Sequence, residues 1–190
     1  MTILLLGLAV FIAVHSVRIV ADGWRTAQIA RLGAWPWKAI YSLISVAGFV
    51  LIVWGYGETR GAAELWQGPA WLRPVSSLLM LVSFILVAAA YIPRNRIQTV
   101  IGHPMTAGVK VWALAHLVTN TRAGDLVLFG ALLVWAVLVF RAARVRDRAS
   151  GQRAAPGSWA MAAVATVAGA AAWAVFASFL HPVLIGVPVA

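Results

Sequence analysis

The chain alternates long apolar stretches with short polar ones. A helix that crosses a bilayer needs about 20 mostly apolar residues. Six stretches approach that length, at 2–21, 37–57, 71–92, 105–120, 124–142 and 159–180. The fourth is the weakest, because it is short and carries Lys110 and His116. It opens just after Pro104, a residue suited to the first turn of a helix. The sixth is rich in small residues (Ala165, Gly169, Ala172), which let helices approach closely in lipid. The pattern predicts an all-α integral membrane bundle of about six transmembrane helices, forming a single domain over residues 1–190. The first stretch is expected to be a retained helix. Met1-Thr2-Ile3 carries no positive charge, the apolar run is too long for a signal peptide, and no small-residue cleavage site follows it.

Composition supports a membrane protein over a soluble one. Hydrophobic residues make up 63% of the chain and charged residues 11%, against roughly a quarter charged in an ordinary soluble domain. A soluble fold of 190 residues could not hide that much apolar surface. The net charge of +10 raises nucleic acid as a partner, but the basic residues sit in short clusters between apolar runs. That arrangement marks membrane orientation and contact with anionic headgroups, so the expected partner is the lipid bilayer and not nucleic acid.

The charges also predict an orientation. Arg18, Arg25, Arg31 and Lys38 follow the first stretch, Arg94 and Arg96 the third, and Arg141, Arg144, Arg146, Arg148 and Arg153 the fifth. Only Arg60, Arg73 and Arg122 fall in the connections of the other side. Under the positive-inside rule the richer side is cytoplasmic and both termini lie outside. Without the fourth stretch the Arg141–Arg153 cluster would lie outside. Trp24, Trp35, Trp37, Trp66, Trp71 and Trp159 fall near helix ends, where amphipathic rings favour the headgroup layer. Gln67-Gly68-Pro69 reads as an outer turn, and 150–157 as a flexible cytoplasmic loop.

Candidate chemistry is sparse. With no cysteine, disulfides, thiolate-held zinc, iron–sulfur clusters, thioether-attached haem and a cysteine nucleophile are all excluded. The five carboxylates (Asp22, Glu58, Glu64, Asp125, Asp147) fall in loops or at helix ends. Four histidines remain. His15 lies in the first stretch, past its midpoint. His103 stands at the mouth of the fourth and His116 within it. His181 ends the sixth. An ionisable side chain inside a bilayer is a candidate functional residue, and a neutral imidazole is a metal ligand. His15 and His116, on two helices, suit bis-imidazole ligation of haem iron. Arg18, one turn below His15, suits the haem propionates, and Trp112 shares a face with His116 at i, i+4 and suits the wall of a flat macrocycle. The competing reading is that each histidine hydrogen-bonds a neighbouring helix. Lys110 is expected to snorkel to the interface, and His103 and His181, each before a proline, to be loop residues.

Several segments resemble a known family. These are His15-Ser16, Arg31-Leu32-Gly33 followed by Tyr41-Ser42, and Leu65-Trp66-Gln67-Gly68-Pro69-Ala70-Trp71-Leu72. With them go Gly102-His103-Pro104-Met105, Leu114-Ala115-His116-Leu117, Asn120, Gly124-Asp125-Leu126 with Phe129-Gly130, and His181-Pro182-Val183-Leu184-Ile185-Gly186-Val187. In order and spacing they resemble the NnrU family of bacterial membrane proteins almost end to end. The resemblance implies a role in nitrogen-oxide physiology, tied to denitrification. A related group, 15-cis-zeta-carotene isomerase, holds haem b in a membrane bundle and isomerises a cis double bond. Its histidine contexts correspond to His15, His103 and His116. The resemblance therefore implies haem b on His15 and His116, with His103 an alternative ligand or a partner of one. It leaves open a haem-dependent cis–trans isomerase, with a hydrophobic small molecule as its substrate, and a haem protein that meets nitric oxide. This chain lacks the cysteine found near the isomerase haem. Two further readings compete. One is a membrane assembly factor without cofactor. The other is a methyltransferase of the isoprenylcysteine type, which shares a His-Pro motif but needs paired glutamates that the segment from Arg144 to Arg148 lacks.

Overall fold

The computed structural model describes residues 1–151 and 156–187. Among the described residues the chain is helical, with no strand. The helices are α1 (Thr2–Val20), α2 (Asp22–Leu32), α3 (Ala34–Thr59), α4 (Leu72–Tyr91), α5 (Arg96–Ile101), α6 (Pro104–Leu117), α7 (Ala123–Ser150), α8 (Trp159–Val175) and α9 (His181–Ile185). A π-helical turn, Phe176–Leu180, links α8 to α9.

Five helical segments are long and apolar enough to cross a membrane: α1, α3, α4, α7 and the run Trp159–Ile185. The α6 helix has 14 residues, about 21 Å at 1.5 Å per residue, against a hydrocarbon core of about 30 Å. The fourth predicted stretch is thus a helix shorter than a span. Two expected loops are helical as well. The segment after the first stretch forms α2, which buries none of its residues, and the fifth stretch runs on through Arg141, Arg144, Arg146 and Arg148 before ending at Ser150. Nothing interrupts the i to i−4 ladder there, and arginine is a good helix former. Arg153 and the centre of the expected 150–157 loop lie outside the described residues.

The chain divides into two compact units, residues 1–67 with 120–135, and 68–119 with 136–190. In the first unit α1 packs antiparallel on α3. Three glycines permit it. A Cβ on Gly7 would lie 2.6 Å from the Ile52 backbone nitrogen, and one on Gly48 would lie 3.0 Å from that of Phe11. One on Gly55 would collide with the backbone at Leu4. Leu4, Leu8 and Ile52 are buried beside them. The outward side of α3 exposes Leu43, Val46, Phe49, Val50 and Val53, as suits a helix that meets acyl chains.

In the second unit α4 packs on both α6 and α8. Ser83 Oγ donates to Gly108 O at 2.9 Å and Ser76 Oγ to Ala115 O at 2.7 Å, tying α4 to α6 at two heights. Ala162, Ala165 and Gly169 form the buried stripe of α8, and a Cβ on Gly169 would stand 2.5 Å from Ile85 Cα. Asn95 is fully buried before α5. Its amide donates to Ala89 O at 2.8 Å and to Ile92 O, while its Oδ1 caps α5 at Gln98 N.

Replacing Gly7 by valine is expected to force α1 off α3 and to cost about 1–3 kcal/mol, the usual scale of overpacking. Gly57 has open space where a Cβ would go, so Gly57→Ala is the control. Thermal unfolding in detergent reads both, and equal melting temperatures would contradict the packing described.

Candidate functional site

His15 sits in the last third of α1, half-buried. Its Nδ1 lies 2.7 Å from Phe11 O. A carbonyl oxygen only accepts, so Nδ1 carries the proton, and in the neutral ring Nε2 holds the lone pair. A hydrogen bond of this kind fixes the tautomer of an imidazole, and metal-ligating histidines commonly make one. The ring stacks on Phe11 at 4.0 Å between centroids, and meets Tyr41 and Trp135 edge-on at 5.2 and 5.9 Å. The Trp135 Nε1 atom beside it is buried without a hydrogen-bond partner.

A cleft of about 460 Å³ opens at His15, within the range of small-molecule sites. Three consecutive elements line it: His15 and Arg18 from α1, Arg25 and Ile29 from α2, and Trp37, Lys38 and Tyr41 from α3. Ala21 and Gly33, the latter at φ +88°, turn the chain at either end of α2, so the end of α1 and the start of α3 face one space. The structure thus brings together His15 and Arg18, as the sequence proposed. It adds Arg25, Lys38, Trp37 and Tyr41, which had been read as orientation signals, belt or family markers.

The other sequence-derived residues lie in the second unit. Trp112 meets His116 edge-on at 5.2 Å, as their i, i+4 spacing implied. His103 lies between α5 and α6, as expected, and is the residue that caps the start of α6. Its Nε2 lies 2.8 Å from Asp147 Oδ2 on α7, so as a ligand it would offer Nδ1. Next to it, Gly102 has φ +78°, and a Cβ there would lie 2.7 Å from Arg144 Nη1. Lys110 stands 3.6 Å above the centre of the Phe140 ring. His181 opens α9, its Nδ1 donating to Val187 O at 2.7 Å.

Among the described residues, no three His, Cys, Asp or Glu side chains gather into a metal-holding group. That bears on an ion held by several protein ligands, not on haem, which brings four nitrogens of its own.

One carboxylate was underrated. Asp125 stands at the start of α7, as its sequence position suggested, yet it is only 4% exposed. It accepts from Tyr56 Oη at 2.7 Å and from the Arg122 backbone N–H at 3.0 Å. Arg122 in turn donates to Ala62 O at 3.1 Å and pairs with Glu64 at 3.5 Å. The loop after α3 is thereby fastened to the N-terminus of α7. A helix-end aspartate is an ordinary capping residue, so the sequence held no signal for the tyrosine 69 positions away.

Tyr56→Phe and Asp125→Asn are each expected to destabilise the protein by about 1–3 kcal/mol, since each removes a bond to a buried charged group. The double variant should lose less than the two combined, because they share that bond. Unfolding of all three variants checks this, and strict additivity would mean the tyrosine bond contributes nothing.

Comparison with known proteins places the chain. No curated protein and no solved structure matches it. The NnrU protein family model matches residues 3–189, and with a match over nearly its whole length the chain belongs to the NnrU family.

Proposed function

We propose that this NnrU-family protein holds haem b in the membrane with His15 as a ligand to its iron, and serves nitrogen-oxide or redox physiology in a bacterial inner membrane. The observation that carries the reading is the His15 hydrogen bond. A half-buried imidazole in a spanning helix has its Nδ1–H committed to Phe11 O, and so presents Nε2 as a base beside a cleft of suitable size. Arg18 in the same cleft is the partner for a propionate. The second ligand proposed from the sequence is His116, with Trp112 against it. Haem b held by these residues would supply a redox-active iron able to exchange an electron.

The roles of the chain's own groups follow from their chemistry. The Phe11 carbonyl fixes the tautomer and turn of the imidazole. Phe11 and Tyr41 restrict its rotation.

We further propose six crossings, with the 14-residue α6 as a short fourth crossing, and both termini in the periplasm. The support is the charge distribution: eleven basic residues follow the odd-numbered stretches, against three in the other connections. A C-terminal reporter active only in the cytoplasm is expected to be silent. Strong activity would overturn this topology.

The haem reading is tested by optical spectra of the purified protein, oxidised and dithionite-reduced, with a pyridine haemochrome assay. The expected result is a b-type spectrum in the wild type that is lost in His15→Ala and His116→Ala. Nitric oxide and a cis-carotenoid are then the ligands to add. A folded protein that stays colourless after haem supplementation would overturn the reading and favour an assembly role.

A further inference from the structure

Three cations from three successive elements meet in the His15 cleft. Arg18 belongs to the last turn of α1, Arg25 to α2 and Lys38 to the start of α3. Only one is balanced. Asp22 pairs with Arg25 at 3.3 Å, whereas among the described residues no ion pair engages Arg18 or Lys38. Lys38 lies 5.3 Å from the Trp35 ring, a contact that does not neutralise it. The cleft therefore carries two uncompensated positive charges. Its other walls are flat or apolar, including Trp37, Tyr41 and Ile29. Like charges held together at a membrane surface repel one another, and an anionic ligand removes that repulsion.

We propose that this cleft receives the two carboxylates of a tetrapyrrole, with Arg18, Arg25 and Lys38 as their partners. The proposal rests on the haem reading for the class of ligand, but not for the iron. Two arguments favour a dicarboxylate over the phosphate of a phosphodiester lipid. A single phosphodiester charge would leave one of the two free cations unmatched, whereas two carboxylates match both. Arginine, in addition, binds a planar carboxylate through two parallel hydrogen bonds. The aromatic walls suit a flat macrocycle, and His15, one turn deeper than Arg18, lies on the side of the cleft toward the bilayer interior. Arg25 and Lys38 are thus positioning residues for the ligand's polar edge, and α2 is the element that completes the site.

The experiment uses the full-length protein in detergent and metal-free protoporphyrin IX, whose fluorescence reports binding. Its dimethyl ester has the same ring without the two charges. The wild type is expected to bind the free acid on the order of a hundredfold tighter than the ester, from charge-assisted hydrogen bonds to two carboxylates. The R25Q/K38Q double variant should lose most of that preference, and R25K, which keeps the charge, should retain most of it. Circular dichroism shows whether each variant is folded.

Equal affinity for acid and ester in the wild type would overturn the proposal. So would a preference that survives in a folded R25Q/K38Q protein. Displacement of the porphyrin by phosphatidylglycerol bicelles but not by phosphatidylcholine, with no preference for the acid, would assign the cleft to a lipid phosphate and also overturn it. The two readings fail separately. Acid preference without a haem spectrum leaves the cleft intact and removes the iron. A haem spectrum without acid preference does the reverse.

Discussion

Helices in a bilayer gain little from hiding apolar surface, because lipid tails are as apolar as leucine. They hold together where backbones come close enough for dense dispersion contact and weak hydrogen bonds. The α1–α3 pair rests on that constraint. Gly7, Gly48 and Gly55 remove the side chains that would separate the two helices, and the partner backbone fills the vacated space. The rest of the first unit follows from this contact. With α1 and α3 antiparallel and touching along their length, the end of one and the start of the other must lie side by side. The eleven residues of α2 join them there, and the His15 cleft is the space that the join encloses.

At its other end the same pair is closed by polar chemistry. Thr59 is packed against Gly124, where a Cβ would collide with its side chain. Tyr56 and Asp125 share a hydrogen bond below it. A buried carboxylate away from water is costly unless it is bonded, and here it also satisfies an N–H at the start of α7 that has no partner within the helix. The Asp125 bond is therefore a fastening whose cost is met locally. The two ends of the unit are thus unlike. One is satisfied within the protein, and the other keeps charges that the protein does not satisfy.

The sequence made the all-helical membrane architecture legible because a span is a one-dimensional property. Twenty apolar residues between polar flanks say what they are without reference to any neighbour. The α1, α3 and α4 bounds fell within a few residues of expectation for that reason. What failed was every feature that depends on a neighbour. The Arg141–Arg148 run looked like a loop because its charges were read as a signal for the cell, although arginine and alanine continue a helix well. The bond of His103 to Asp147 crosses 44 positions that no local pattern connects. Gly48 and Gly55 are less conspicuous than the small residues of α8, since two glycines seven residues apart in an apolar run show no cluster, and their role depends on the α1 backbone opposite them. His15, Arg18 and Trp112 were legible because their i, i+3 and i, i+4 relations are local to one helix. Arg25 and Lys38 joined the site only once α2 was seen to fold back against α1 and α3.

The histidines show how hydrogen bonding separates residues that composition treats alike. His103 donates through Nε2 to a carboxylate, which holds its ring against α7 and uses the nitrogen that most often faces a metal. His181 donates through Nδ1 to Val187 O, closing the last turn at an exposed end of the chain. His15 makes the same kind of Nδ1 bond, but to a carbonyl of its own helix one turn earlier. That bond ties no other element to α1, and the carbonyl already belongs to the helix ladder. A histidine whose only task was to join helices would place its donor on a neighbour, as Ser76 and Ser83 do. His15 instead places its donor on its own backbone, which leaves Nε2 as the acceptor of the neutral ring. Two unmatched cations stand in the same cleft. A lone pair one helical turn from that positive charge suits a ligand with an electrophilic centre and an anionic edge, the build of the haem b proposed for this site.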